Sequence, residues 1–378
     1  MFVMDPHFAS LLEKLASSRR AAGLSREDVE KKLVLGPGWV DRFETGDRLP
    51  SLATLIALLN LYELKISDFF ESVELTDDIF IADRYLTAKP SGNNLILIFQ
   101  LGKYRANVEL EDSSIDEFNA ILLTLRDELA TASASEAIVF SFLKAVELWP
   151  HLNPSDLWYF FISRAYQDDF NHPASSAGKD WSQSWKRAGG WSLEAIFLEH
   201  YNPFLKQHGI ELQMPDPALK REYLDQMDIL GHAGVEKADV IVVGETDTGE
   251  KVAYGVVHVK ASFAERRTDD VPLSRELIQG NYASPLVTMD CKATPAARPF
   301  NKGELGETQD SGKKVSSKRL DIERERAFDA VFSYNTNTRP TPRGANVSAR
   351  IYVCGFQDPD DPFSRYLIRK WRDRQGAY

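Results

Sequence analysis

The segment Ala238-Asp239-Val-Ile-Val-Val243-Gly244 is followed, across a polar stretch from Glu245 to Lys251, by Val256-Val-His258-Val-Lys260. The apolar run Asp239–Val243 has no polar parity, which fits a strand covered on both faces rather than one half-exposed to water. Gly244 marks its end. The two runs read as a hairpin with an acid at the mouth of its first strand and a lysine near the end of its second, 21 residues later. A carboxylate there can hold a divalent cation. An ammonium beside it can help deprotonate an attacking water and offset charge on a phosphorane. An ordinary hairpin with charged ends would look the same, so the surrounding residues must decide.

The chain has 378 residues, more than one small domain needs, and two or three domains are expected. No run of 18 apolar residues appears, so no membrane span is expected. The start, MFVMDPHFASLLEKL, lacks the order of a signal peptide. Cys291 and Cys354 are the two cysteines and lie far apart in sequence, which disfavours a disulfide framework or a cysteine zinc site and suits a reducing cytoplasm. The net charge of −11 at first argues against a nucleic-acid partner. The acidity is concentrated in residues 76–150, with six Lys and Arg against twelve Asp and Glu; residues 151–378 carry 30 against 32. Carboxylates that bind a cation also count as negative until it arrives, so global charge decides little. No P-loop, GxGxxG, HExxH or CxxC pattern appears, and no nucleotide cofactor is expected.

Three domains are expected: 1–74, 75–135 and 136–378. The first reads as short helices: Phe8 to Ala22 ended by Gly23, Arg26 to Leu33 behind the capping pair Ser25 and Asp28, Trp39 to Thr45, and Leu52 to Leu61. The string Arg42-Phe43-Glu44-Thr45-Gly46 followed by Pro50-Ser51-Leu52-Ala53-Thr54-Leu55 resembles the phage-repressor (XRE/Cro) helix-turn-helix family. That resemblance implies a helix with Trp39 and Arg42 in the DNA major groove. Gly36-Pro37-Gly38 stands where such a helix usually starts with polar readers, and supplies no side-chain donors. DNA contact through Arg42 and a packing or dimerising role both remain open. Residues 75–135 read as a small acidic α/β segment, a hairpin around Gly102-Lys103 and then a helix from Ser114 to Thr131. From 136 onward, helices Ala137–Glu147 and Pro154–Tyr166 precede a helix opened by a Ser192 cap. The core hairpin comes next, then a long polar loop through residues 292–326, a strand Val347–Cys354 and a helix Pro362–Trp371. A central mixed sheet flanked by helices is the expected α/β core.

Nucleases of this kind usually carry acid-x-Lys on the second strand. Here the position two before Lys260 is His258, which reads better as a packed histidine than as a ligand for hard Mg2+. A helix further on contains Glu276, which can return a carboxylate to the site. That migrated acid resembles the CCGG-type restriction endonucleases, the BsaWI, AgeI and EcoRII group of the PD-(D/E)XK superfamily, over residues 150–378. The resemblance implies Mg2+ held by Asp239 and Glu276, with Lys260 orienting the water. Asp269 or Asp270 is a substitute for Glu276, because Glu276 lies 16 residues after Lys260, slightly long for the group. It also implies an upstream helix glutamate, Glu194 first and Glu199 second. Glu265 and Arg266 would read C·G pairs through cytosine N4 and guanine O6/N7, with Arg267 as a phosphate clamp. The expected function is Type II restriction: Mg2+-dependent cleavage of double-stranded DNA at a palindrome containing CC and GG by a homodimer. Two alternatives remain: a helix-turn-helix regulator with a ligand-sensing C-terminal domain, and a repair or defence nuclease without palindrome specificity.

Overall fold

The structure is a computed structural model. It describes residues 6–46, 50–71, 86–101, 104–173, 179–229, 237–263, 267–292, 299–308 and 311–376. The chain divides into two compact units, 1–79 and 80–378.

In the first unit, α1 (Pro6–Ala21), α2 (Arg26–Lys32), α3 (Trp39–Thr45), α4 (Leu52–Leu61) and α5 (Ile66–Phe70) enclose Leu15, Val29, Val40, Phe43, Leu58 and Phe69. The Ser25–Asp28 capping box is present, each residue satisfying the other's backbone amide. Arg19 bonds Glu44 at 2.6 Å, and Arg26 bonds Asp41 at 2.5 Å and Glu44 at 2.9 Å, tying α1 and α2 to α3. Trp39 is partly buried against this core, edge-on to Phe43, so its indole packs inward. A Cβ at Gly36 would collide with that indole, which explains the glycine before α3. Arg42 is exposed.

The second unit begins with a three-stranded antiparallel sheet, β1 (Leu86–Ser91), β2 (Asn94–Leu101) and β3 (Tyr104–Leu110). β1 was not anticipated from sequence. Then come α6 (Ile115–Thr131), capped by Ser114 and Glu117, and α7 (Ala134–Leu148). The boundary expected at 135 is not a domain boundary. Phe99 stacks on Phe160 and Phe118 on Phe161, so residues 86–131 share a core with the helices after 135. A boundary near 74 falls outside the described residues. α8 (Pro154–Asp156), a π-helical turn Leu157–Ile162 and α9 (Ser163–Tyr166) occupy the expected single helix.

α10 (Trp181–Leu205) is longer than the sequence suggests, continuing through Gly189-Gly190. Its cap is Asp180, which accepts from Gln183 N at 3.1 Å. Ser192 lies inside the helix, donating to Ala188 O at 2.7 Å and to Ser135 O at 3.0 Å. Gly189 is kept helical by packing against the Trp185 ring, while Gly190 faces open space.

The main sheet runs β4 (Ile210–Gln213), β5 (Val240–Glu245), β6 (Lys251–Lys260), β7 (Leu286–Thr288), β8 (Ala330–Ser333) and β9 (Arg350–Val353), with α11 (Pro217–Gln226) after β4, α12 (Arg267–Gln279) after β6, α13 (Ser317–Glu323) before β8 and α14 (Pro362–Gln375) last. β4, β5 and β6 pair antiparallel, and β6 to β9 pair parallel. Both faces are covered, as the apolar run required. Val240, Val242, Val257 and Val259 join the large core with α10, while Ile241, Val243 and Val256 pack with Leu224, Leu273 and Leu277 of α11 and α12. The segment before α13 is less free than its composition suggested. Arg319 is fully buried, bonded to Glu323 at 2.7 Å and to the carbonyls of Leu305 and Arg339.

β6 meets the loop before β7 at Gly255, where an added Cβ would run into the Ala283 backbone. We expect Gly255→Ala to cost about 1–3 kcal/mol by overpacking, measured by chemical denaturation, whereas alanine at the open, right-handed Gly190 inside α10 should stabilise by about 0.5–1 kcal/mol.

Candidate active site

Asp239 stands immediately before β5, opposite His258 of β6, because Val240 pairs with Val257. Residues 239 and 241 share one face of β5, and 256, 258 and 260 share that face of β6. This is the face on which α12 lies. α12 is the crossover between parallel β6 and β7, so it starts beside the end of β6 and runs back along the sheet. Six residues separate Lys260 from Arg267, and so the first turn of α12 lies next to the lysine.

Lys260 Nζ lies 2.8 Å from Asp239 Oδ2 and 3.1 Å from Asp270 Oδ2. The Val259 amide donates to the same Asp239 oxygen at 2.9 Å, fixing that carboxylate in place. Burial alone would lower the Lys260 pKa, but the Asp239 and Asp270 carboxylates outweigh it and raise it. The ammonium is therefore charged at neutral pH. Asp239, His258 and Asp270 each offer an atom within 4.8 Å of the others, a spacing that fits one divalent cation between two hard oxygens.

Asp270, one of the two substitutes for Glu276, is the α12 acid that lies in this cluster. Glu276 is half-buried and outside this cluster. The helix explains why. Six residues at about 100° each turn Glu276 through roughly 240° and carry it about 9 Å along the axis from Asp270. Of Arg267 and Asp269 only the backbone, in the first turn of α12, is described, and Glu265 and Arg266 lie outside the described residues.

Glu194 comes from α10. Its carboxyl is pushed up to about 7, first by burial and then by the nearby Asp239 charge, against the pull of Lys260 and Lys220. It therefore feels the same cluster. Glu199 is exposed, five residues further along the helix. Lys220 on α11 was not singled out from sequence; its Nζ donates to the carbonyl of Ala238 at 2.6 Å, steadying the residue before Asp239. Nothing in the local pattern of α11 marks it. His258 is fully buried and its pKa falls to about 4, chiefly by burial, so it is neutral.

A neighbouring network closes the same edge of the sheet. Asp290, just past β7, accepts from Thr338 Oγ1 at 2.7 Å and from the Glu304 amide at 2.6 Å, and its carbonyl accepts from Asn335 Nδ2 at 3.0 Å. Burial raises its carboxyl to about 7. Gly303 has φ +71°, and a Cβ there would strike that carboxyl.

A mixed sheet with an acid before one strand, a lysine ending the next and a second acid on the crossover helix is the ground plan of a restriction endonuclease. Comparison with known proteins makes the class particular. The chain is 38% identical over 240 residues to the Type II restriction enzyme AgeI of Thalassovita gelatinovora, an alignment spanning 62% of this chain and 83% of that enzyme. The chain belongs to that family of Type II restriction endonucleases. A crystal structure of the specific AgeI–DNA complex superposes with a TM-score of 0.65 at 33% identity, covering 73% of this chain and 99% of the other. A BsaWI–DNA complex aligns at a TM-score of 0.33 with 14% identity and carries no weight. Residues 10–68 match the family model described as a helix-turn-helix domain. The family sets aside the expectation of a regulator with a ligand-sensing C-terminal domain. No helix among the described residues is long and apolar enough to cross a membrane.

The raised Glu194 pKa has a signed consequence in metal-free protein. Its proton is held from the unfolded value near 4.5 up to about 7, so the native state binds more protons over that window and stability falls as pH rises through it. Glu194→Gln lacks this slope. We expect the melting temperature of Glu194→Gln minus that of the native chain to increase between pH 5 and pH 8; a constant difference would remove Glu194 from the buried cluster.

Proposed function

We propose that this chain cleaves double-stranded DNA at a palindrome containing CC and GG, using Mg2+ held by Asp239 and Asp270. The observation that carries the reading is the Lys260 ammonium between those two carboxylates. A bound cation supplies Lewis-acid activation of the scissile phosphate and of the attacking water. Asp239 and Asp270 provide the anionic cradle. Lys260, charged and fixed at the end of β6, orients the water and balances charge developing on the phosphate. Glu194, on the α10 side, helps position the water or a second ion.

Glu265 and Arg266 are the proposed base readers. They sit in sequence between Lys260 and α12, so the segment that carries recognition adjoins the segment that carries chemistry. A carboxylate accepting from cytosine N4 beside a guanidinium on guanine O6 and N7 contributes about 1–3 kcal/mol of discrimination per good contact. Arg267 is proposed to clamp a phosphate. A two-fold symmetric target is met by a C2 homodimer, each protomer bringing one site and one half-site reader. The two cysteines, both free and buried, suit a reducing cytoplasm. Arg42, exposed on α3, is the helix-turn-helix unit's proposed DNA contact.

We expect discrete bands when unmethylated phage DNA is digested with Mg2+, mapping to sites with a CC/GG core. A smear would mean cutting without palindrome specificity, and uncut DNA in Mg2+ would remove the hydrolase reading. Asp270→Asn and Lys260→Ala should each lower the cleavage rate by about 10³-fold or more with DNA retention in a gel nearly unchanged. Glu276→Gln should remain within a few-fold of the native rate. Equal losses at Asp270 and Glu276 would undo the assignment of the second acid. Sedimentation of the chain with a cognate duplex should give two protomers per duplex.

A further inference from the structure

Fully buried His258 is the unexplained polar group of this site, and its hydrogen bonds define its protonation. Ser284 Oγ donates its single proton to Ser274 Oγ at 2.8 Å, so toward His258 Nε2, 3.1 Å away, it is an acceptor. Nε2 therefore carries the ring proton. Nδ1 is left with a lone pair, and it is buried with no hydrogen-bond partner. An unmatched buried acceptor is costly unless a partner arrives. A ring nitrogen of His258 also lies within 4.8 Å of an oxygen of Asp239 and of Asp270, and Nε2 is already engaged.

We propose that His258 Nδ1 is the third protein ligand of the divalent cation, making the site one nitrogen and two carboxylates, with Ser284 and Ser274 as its positioning residues. The proposal deepens the nuclease reading and rests on its metal site. A neutral imidazole that donates its other N–H to a fixed acceptor has the tautomer and orientation that a metal ligand needs. Ser274 is four residues after Asp270, on the same face of α12. The Ser284–Ser274 bond thus also sets the rotation that aims Asp270. A nitrogen in the ligand set shifts preference toward Mn2+ and Co2+ over Mg2+.

The test reads metal binding directly, on the full chain without DNA. Mn2+ is titrated in and free Mn2+ is counted by electron paramagnetic resonance, with Mg2+ as competitor. Pulsed resonance on the loaded protein then looks for nitrogen coupling. The native chain should show histidine nitrogen coupling, lost in His258→Gln, with the Mn2+ to Mg2+ affinity ratio falling about tenfold or more. Ser284→Ala should keep the coupling while weakening Mn2+ by about tenfold. Bound Mn2+ without nitrogen coupling in the native chain, a measurement that needs no variant, overturns the proposal, as does an unchanged ratio in folded His258→Gln. Mg2+-dependent bands in the native digest alongside either result would leave the nuclease reading standing with an all-oxygen site. No Mn2+ binding and no digestion would sink both.

Discussion

One ammonium shared between two carboxylates organises the catalytic edge of this protein. Lys260, Asp239 and Asp270 come from the end of a strand, the residue before its neighbour and the first turn of the crossover helix. The switch from antiparallel to parallel pairing at β6 brings those points together. Two acids against one base leave this partly buried cluster net negative. Such a cluster is expensive to keep out of water unless more positive charge joins it. The site is built as an incomplete ionic lattice whose members are each held by a further hydrogen bond from backbone or side chain. The Val259 amide holds Asp239, the Ala238 carbonyl is anchored by Lys220, and α12 is held through Ser274.

Much of this was legible in the chain. The apolar run from Val240 to Val243 announced a strand covered on both faces, and Asp239 and Lys260 at its hairpin's ends are paired in the structure. The capping box at Ser25 marked a helix start correctly, because a cap is a contact between residues three apart. What failed depended on distant contacts. Ser192 looked like a cap behind Gly189-Gly190, but packing against Trp185 and hydrogen bonds to Ala188 and Ser135 carry the helix through. The resemblance names Glu276 as the second acid and, because its spacing runs long, Asp269 or Asp270 as substitutes; the fold brings Asp270 to the cluster because α12 begins a short connection after β6. The surroundings of His258 could not be read from its neighbours in sequence, since Ser284, itself bonded to Ser274, meets it through the fold. The domain cut at 135 failed because aromatic stacking between β2, α6 and the π-helical turn leaves no composition signature.

The helix-turn-helix unit shows a different use of charge. Arg19 and Arg26 are spent on Asp41 and Glu44 within the unit. Their positive charge holds α3 in place and is largely neutralised there. Gly36 serves the Trp39 indole rather than a groove contact. Among the described side chains of α3, Arg42 is the cation that remains exposed.

The buried Asp290 carboxyl fastens three connections at the sheet edge that adjoins the catalytic cluster: the exit of β7, the segment through Gly303 and Glu304, and the turn from Asn335 to Thr338. Segments anchored in this way keep their shape in the free protein. The ordering entropy of these anchored segments is lost during folding, so a ligand bound at this edge would not have to supply it again.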